Sequence, residues 1–220
     1  MSALANDRSH RIDALVRDIH GCRICIAMPD GAALPHEPRP VLRVSATARI
    51  IICGQAPGVR VHASGKPFTD PSGDRLRQWM GVNEDEFYNT SRVAIVPMGF
   101  CFPGLDAKGG DLPPRRECAR AWRQSLFDAL PPAQLILLVG FYAQKWHLGT
   151  RCKARLTETV ANWRAYLDGT TQYIPMPHPS WRNNAWLKRN PWFAQEVLPY
   201  LQRRVDEILR QRDINNNHTL

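Results

Sequence analysis

The sequence has no long apolar run, no leader-like segment and no internal repeat. No apolar stretch approaches the roughly 20 residues of a membrane-spanning helix, so no membrane partner is expected. Residues 1–8 lack the basic-then-apolar order of a secretory signal, which favours a cytoplasmic protein. No linker divides the 220 residues, and we predict one domain over residues 1–212 with a polar tail at residues 213–220.

Acidic residues are scarce relative to basic ones. The chain has 20 Asp and Glu against 29 Lys and Arg, which gives a formal net charge of +9. Such a balance favours a polyanionic partner, for example a nucleic acid. The six cysteines, in a chain expected to stay in a reducing compartment, argue against a disulfide framework. They favour a metal site, a cluster or buried thiols.

Short apolar runs alternate with helical patterns along the chain. The runs at residues 50–52, 93–98, 135–140 and 173–176 have the composition of strands buried on both faces. Amphipathic helical patterns lie before, between and after them, with the last at residues 192–212, and residues 41–44 suggest a short edge strand. The alternation predicts an α/β fold of three layers, α/β/α, in which the middle layer is a mostly parallel, four-stranded sheet.

Two polar loops follow the first of these apolar runs. The run ends at Gly54, Pro57 and Gly58, which cannot continue a strand. A second loop over residues 62–73 is rich in Gly, Pro, Ser and Thr and contains Phe68 and Asp70. Open α/β sheets bind ligands where their strands end, so these loops are a candidate site. The alternative is an ordinary connection between a strand and a helix.

The cysteine spacing indicates a candidate metal site. A close Cys-x-x-Cys pair and two distant cysteines suit either a [4Fe–4S] cluster or a structural zinc ion. The alternative is that several are buried apolar thiols. Cys53 and Cys152 are interpreted as structural or incidental. The four candidate ligands are Cys22, Cys25, Cys101 and Cys118.

Three segments together resemble the signature motifs of the uracil-DNA glycosylase superfamily. They are Gly54-Gln-Ala-Pro-Gly58, Gly65-Lys-Pro-Phe68 and His178-Pro-Ser180. The arrangement is most similar to the iron–sulfur family-four enzymes, which hold a [4Fe–4S] cluster through cysteines spaced as in this chain. The resemblance implies a hydrolase of base-excision repair, a monofunctional DNA glycosylase, and we expect the protein to be a monomer. It would flip uracil out of single- or double-stranded DNA and cleave its N-glycosidic bond.

Three positions depart from the family pattern. Gln55 stands where family-four enzymes have Glu, Ala56 where other branches have Asp, and Pro97 where the uracil-reading Asn is expected. The departure at Pro97 leaves open a different base, such as hypoxanthine or xanthine. The missing carboxylates leave open a catalytically impaired module that binds DNA or abasic sites.

The resemblance implies roles for the motif residues. His178 would donate a hydrogen bond to the departing base, and Phe68 would stack on it. Either Gln55 or Asp70 would handle the attacking water, with His62 a weaker candidate. The alternatives are a core position for Phe68 and a turn or helix N-cap for Asp70. The expected substrate-binding residues are Gly54, Ala56, Pro57, Gly58, Phe68 and Ser180.

A basic and aromatic segment after the His-Pro-Ser motif is the expected DNA-binding surface. Its cations would neutralise phosphates, and an apolar side chain would fill the gap left by the flipped base. Trp186 and Leu187 are further candidates for that wedge. The alternative is a helix core with a solvated basic face. The predicted DNA-binding residues are Trp181, Arg182, Lys188 and Arg189.

Overall fold

The centre of the protein is a four-stranded parallel sheet. The computed structural model describes the backbone of residues 3–216 and the side chains of residues 6–211. The strands lie in the order β2-β1-β3-β4, and each neighbouring pair is parallel. Their bounds are β1 Ile50–Cys53, β2 Val93–Ile95, β3 Leu135–Val139 and β4 Gln172–Met176.

Helices cover both faces of the sheet, as an apolar parallel sheet requires. They are α1 Ala3–His20, α2 Ile24–Ala27, α3 Val59–Ser64, α4 Pro71–Met80, α5 Glu84–Tyr88, α6 Arg116–Ala129, α7 Phe141–Leu148, α8 Leu156–Ala161, α9 Asn184–Arg189 and α10 Leu198–Asn216. Ile50 and Ile52 of β1 point into one core, with α4 and α10, and Ile51 points into the other, with α1 and α6. The predicted three-layer α/β/α architecture is therefore confirmed.

The structure differs from the sequence prediction mainly in short elements. The helices α3 and α5 lie where the sequence predicts polar connections. The suggested edge strand at residues 41–44 is reduced to one antiparallel bridge between Arg43 and Ile95. The last helix continues to Asn216, past the expected end at residue 212, and residues 217–220 of the predicted tail lie outside the described part. Among the described helices, none has the length and apolar content to cross a membrane.

The strand order brings four loops to one edge of the sheet. The chain passes from β1 to β2 on one side of β1, and then crosses back to β3 and β4 on the other side. A topological switch point therefore lies between β1 and β3. Ligands of open α/β sheets bind outside the carboxyl ends of strands at such a point. The residues that follow the four strands there include Gln55, Pro97, Gly140 and His178.

Candidate active site

Two adjoining cavities lie at the carboxyl edge of the sheet. The larger, the outer groove, encloses about 630 Å³. The smaller, the inner cavity, encloses about 60 Å³, and one water needs only roughly 10–15 Å³. Seven residues line both cavities and define the junction between them: Gln55, Ala56, Gly58, Asp70, Ser72, Asp111 and His178.

The loop after β1 is fixed against the segment after β2. The backbone N–H of Met98 donates to the Gly54 carbonyl, and that of Gly99 donates to the Gln55 carbonyl, both at 2.9 Å. The Gln55 side chain lies against Gly140, where an added Cβ would be 2.7 Å from Gln55 Nε2. Gly140 also has a φ of +86°, which side-chain-bearing residues rarely adopt. The amide of Gln55 is therefore seated at the switch point, facing the junction.

The contact between Gln55 and Gly140 yields a test by double-mutant cycle. We expect Gly140→Ala to lower the free energy of unfolding by about 1–3 kcal/mol, through the unfavourable φ and the approach to Gln55 Nε2. Because Gln55→Ala removes the approaching atoms, the Gly140→Ala cost should be smaller in that background. Urea unfolding of the four proteins measures both effects. If the losses in free energy of unfolding caused by the two substitutions were strictly additive, the contact would be contradicted.

Phe68 lies in the inner cavity in a constrained backbone conformation. Its φ is 56°, in the left-handed region that bulky residues avoid. The Tyr88 hydroxyl donates to the carbonyls of Pro67 at 2.7 Å and Phe68 at 3.1 Å. One edge of the ring approaches Gly54, and Phe87 meets the ring at 86° with 6.0 Å between centroids. The ring is half-buried and packs on the core while it lines the cavity.

Asp70 caps α4 and also lines the junction, while its catalytic role stays a prediction. It is the N-cap of α4, and its Oδ1 accepts from the backbone N–H groups of Ser72 at 3.0 Å and Gly73 at 3.3 Å. The Ser72 hydroxyl also donates to Oδ1, at 2.5 Å. The same side chain lines the junction. Capping therefore holds a carboxylate in a fixed orientation at the site.

His178 follows β4 and has a defined tautomer. The backbone N–H of Ser180 donates to His178 Nδ1 at 3.3 Å, so the neutral ring carries its proton on Nε2. Burial lowers the pKa of His178, and the nearby Asp70 carboxylate acts against this shift. Asn183 Nδ2 donates to the His178 carbonyl at 2.7 Å and fixes the loop. The site thus presents a neutral imidazole with an N–H available as a donor.

The comparison with known families identifies the relatives of the chain. The family model described as the uracil DNA glycosylase superfamily matches residues 43–202. The chain belongs to the uracil DNA glycosylase superfamily. Membership supports a hydrolase of the DNA glycosylase class with DNA as its substrate. The matched span contains all seven residues of the junction.

The glycosylase motif residues predicted to bind substrate all line one of the two cavities. Gly54, Pro57 and Phe68 line the inner cavity, and Ser180 lines the outer groove. Ala56 and Gly58 belong to the junction. By contrast, His62 lines neither cavity and packs on the rings of His36 and Phe102, at 4.6 and 5.8 Å between centroids. The structure therefore does not bring His62 into the site.

The predicted DNA-binding segment is only partly at the groove. Trp181, 73% exposed, and Arg182 line the outer groove, whereas Lys188 and Arg189 line neither cavity. The other wedge candidates are packed inward: Trp186 Nε1 donates to Thr157 Oγ1 at 2.7 Å, and both Trp186 and Leu187 pack on the core.

Several residues that line the outer groove of this glycosylase lie outside the sequence motifs. Arg60 on α3 and Arg75 on α4 add positive charge to the outer groove, and Leu105 and Asp111 come from the loop before α6. Arg75 Nη1 also donates to the Ser180 carbonyl at 3.2 Å and to Asn184 Oδ1 at 2.8 Å. Arg60 and Arg75 stand at helical positions outside any motif. For Asp111, the available signal was a carboxylate in a Gly-rich loop.

The four candidate ligand cysteines line one separate, small cavity beside α6. The backbone N–H of Phe100 donates to Cys118 Sγ at 3.3 Å, and Trp122 Nε1 donates to Cys22 Sγ at 3.2 Å. Burial raises the pKa of Cys25 to about 11 and those of Cys101 and Cys118 to about 12. Among the described residues, no group of three or more His, Cys, Asp or Glu is arranged to hold a metal ion.

Proposed function

We propose that the protein excises uracil from DNA by flipping the nucleotide and hydrolysing its N-glycosidic bond. The observation that carries the proposal is the junction, where a small inner cavity meets a larger, cation-lined groove. A flipped base in the inner cavity and a DNA backbone in the outer groove would place the glycosidic bond at that junction. Gln55, Asp70 and His178 all face it.

Phe68 would form the platform for the flipped base. Stacking on an aromatic side chain contributes roughly 1–3 kcal/mol per base. The backbone of Phe68 is held by Tyr88, so the ring is positioned before the base arrives. The side-chain amide of Gln55 makes no hydrogen bond to the described residues. It offers a donor and an acceptor to the base or to the attacking water.

The cleavage step needs stabilisation of two charges. As the bond breaks, negative charge develops on the base, and His178 Nε2–H is available to donate to its carbonyl oxygen. Positive charge develops on the sugar, and the Asp70 carboxylate, which capping holds at the junction, would face that charge. Gln55 would orient the water, as a glutamine does in some hydrolases.

The outer groove supplies contacts for the DNA backbone. Arg60, Arg75 and Arg182 line it and would neutralise phosphates. Trp181 is the apolar side chain best placed to occupy the gap left by the flipped base, because it is exposed at the groove.

A panel of modified oligonucleotides tests the proposal. Uracil-containing single- and double-stranded DNA should become alkali-labile at the uracil position when incubated with the protein. Parallel substrates carry hypoxanthine, xanthine or an undamaged base. Folded protein, verified by circular dichroism, that leaves the uracil strands intact would overturn uracil as the substrate.

A second candidate substrate is a deaminated purine. Pro97 lines the inner cavity where the resemblance places a uracil-reading amide, and its side chain offers no hydrogen bond. Its carbonyl accepts from Arg123 Nη1 at 2.8 Å. Cleavage of hypoxanthine or xanthine DNA, with uracil DNA intact, would favour this candidate. Tight binding of abasic DNA without any cleavage would instead indicate the impaired binding module.

We also propose that Cys22, Cys25, Cys101 and Cys118 hold a [4Fe–4S] cluster. The described residues form no group arranged to hold a metal ion, so the support is the cavity that the four cysteines share, its purely sulfur donor set and the two N–H groups that donate to sulfur. Bound there, the cluster would supply no hydrolytic chemistry. It would brace the N-terminal segment against the loop that leads to α6.

The cluster proposal predicts the colour and metal content of the protein. Purified protein should be brown, with absorbance at about 400 nm and bound iron. Cys118→Ser should lose most of the iron, whereas the control Cys152→Ser, at a cysteine outside this cavity, should keep it. Colourless wild-type protein containing zinc would show that the alternative metal is correct.

A further inference from the structure

A second carboxylate, Asp111, faces the junction from the loop between β2 and α6. The loop is internally ordered: Asp106 Oδ1 accepts from the backbone N–H groups of Lys108 and Gly110, both at 2.8 Å. Leu105 and Asp111 form an antiparallel bridge, and the Leu112 N–H donates to the Gly104 carbonyl at 2.9 Å. This folding places the Asp111 carboxylate at both cavities.

Asp111 lies close to the first motif loop. Asp111 Oδ2 lies 3.5 Å from the point where a Cβ on Gly58 would be. Gly58 is itself a junction residue of the first motif loop. The carboxylate therefore lies at the junction, where the proposed function would place the glycosidic bond of a flipped nucleotide.

The two junction carboxylates differ in their hydrogen bonding. Oδ1 of Asp70 is occupied by three donors, which leaves one oxygen of that carboxylate, Oδ2, open to a water. The Asp111 carboxylate accepts no hydrogen bond from the residues that the structure describes, so both of its oxygens are available to a water. Partial burial raises the pKa of Asp111, Arg182 lowers it, and Asp70 and Asp106 raise it further. A general base is more effective when its pKa approaches the working pH.

We propose that Asp111 is the general base that activates the water in this reaction. The inference rests on the proposed glycosylase function. Asp111 accepts a proton from the water as the water oxygen bonds to C1′ of the sugar and the bond from C1′ to the base breaks. The electron pair of that bond leaves with the base, whose anion accepts a hydrogen bond from His178. Asp111 then releases its proton to solvent. Asp70 serves as the fixed charge opposite the sugar.

The test is the isosteric substitution Asp111→Asn, measured by single-turnover excision of the best substrate in the oligonucleotide panel. We expect the rate to fall by about 100-fold, the lower end for general-base catalysis. The matched control is Asp106→Asn, which removes the same charge from the same loop and keeps an oxygen for the two backbone donors. Its rate should stay within a few-fold of the wild type, because Asp106 has the smallest of the four effects on the Asp111 pKa.

The pH profile separates a base from a neutral contact. Because the Asp111 pKa is raised, the wild-type rate should decline, as pH falls, at a pH above the ordinary Asp value of about 3.9. The excision rate of Asp111→Asn should not show that decline. Its rate should change with pH only where other groups titrate. The charged or titratable groups around Asp111 are Asp70, Asp106, His178, Arg60, Arg75 and Arg182.

Each other outcome overturns the role of Asp111. A faster rate or tighter DNA binding in Asp111→Asn, with no loss of rate, would show that the carboxylate only repels phosphates. A slower rate with the acidic decline unchanged would exclude proton transfer to Asp111. A changed base preference at an unchanged rate would assign it to base recognition. Wild-type protein that cleaves no substrate in the panel would instead overturn the proposed function itself.

Discussion

Replacing His178 with alanine is expected to lower the single-turnover rate of base excision by about 100- to 1,000-fold. The loss follows from removing one preorganised donor to the departing base, an effect of roughly 3–4 kcal/mol. The Ser180 N–H fixes the ring tautomer with the proton on Nε2, so the donor is in place before the bond breaks. Rates are measured with enzyme in excess, which removes product release from the comparison.

The control for His178→Ala is His10→Ala, at an exposed histidine on α1 that lines neither cavity. It should excise at the wild-type rate, and both variants should bind abasic DNA like the wild type. Burial lowers the His178 pKa, so the ring stays neutral to a lower pH than an ordinary histidine. An active His178→Ala enzyme, within a few-fold of wild type, would remove His178 from the mechanism.

Gly73→Ala is expected to be the most damaging small substitution near the site. A Cβ on Gly73 would lie 1.8 Å from the Phe68 carbonyl oxygen and 2.7 Å from its carbonyl carbon. The obstacle is backbone, so the turn over residues 68–73 would have to open. We expect a loss of about 3 kcal/mol in the free energy of unfolding, which lowers Tm by roughly 6–12 °C in a chain of this size.

The same substitution should also impair excision. Phe68 and Asp70 both belong to the turn that would open, so the stacking platform and the cap of α4 would shift together. Thermal unfolding and single-turnover excision measure the two effects. Gly31→Ala is the control, because no atom lies within 4 Å of a Cβ at that position. A Gly73→Ala protein as stable and active as the control would contradict the geometry of the turn.

The framework of the site is predictable from the sequence because its signals are local. Apolar runs define the buried strands, and the breaks at Gly54 and after residue 176 mark where they end. Parallel strands align their carboxyl ends, so loops far apart in the chain meet at one edge. The meeting of Gln55, Phe68 and His178 around two cavities follows from this topology.

The features that the sequence does not predict depend on tertiary contacts. Asp111 reaches the junction only because the loop after residue 100 folds back on itself. Arg75 faces the groove because α4 begins at its cap Asp70, which sets the rotation of the helix. Conversely, Trp186 and Leu187 have the composition of DNA-facing residues and pack on the core, since α9 presents that side inward.

The most direct test of hydrolysis at this site is the intact mass of a uracil-containing oligonucleotide after incubation with the protein in ¹⁸O-enriched water. We predict an unbroken strand in which uracil is replaced by a hydroxyl that carries the label at C1′, together with free uracil. His178→Ala should leave the substrate mass unchanged over the same time. A strand that keeps its mass with folded wild-type protein, for every base in the panel, would contradict hydrolysis at this site.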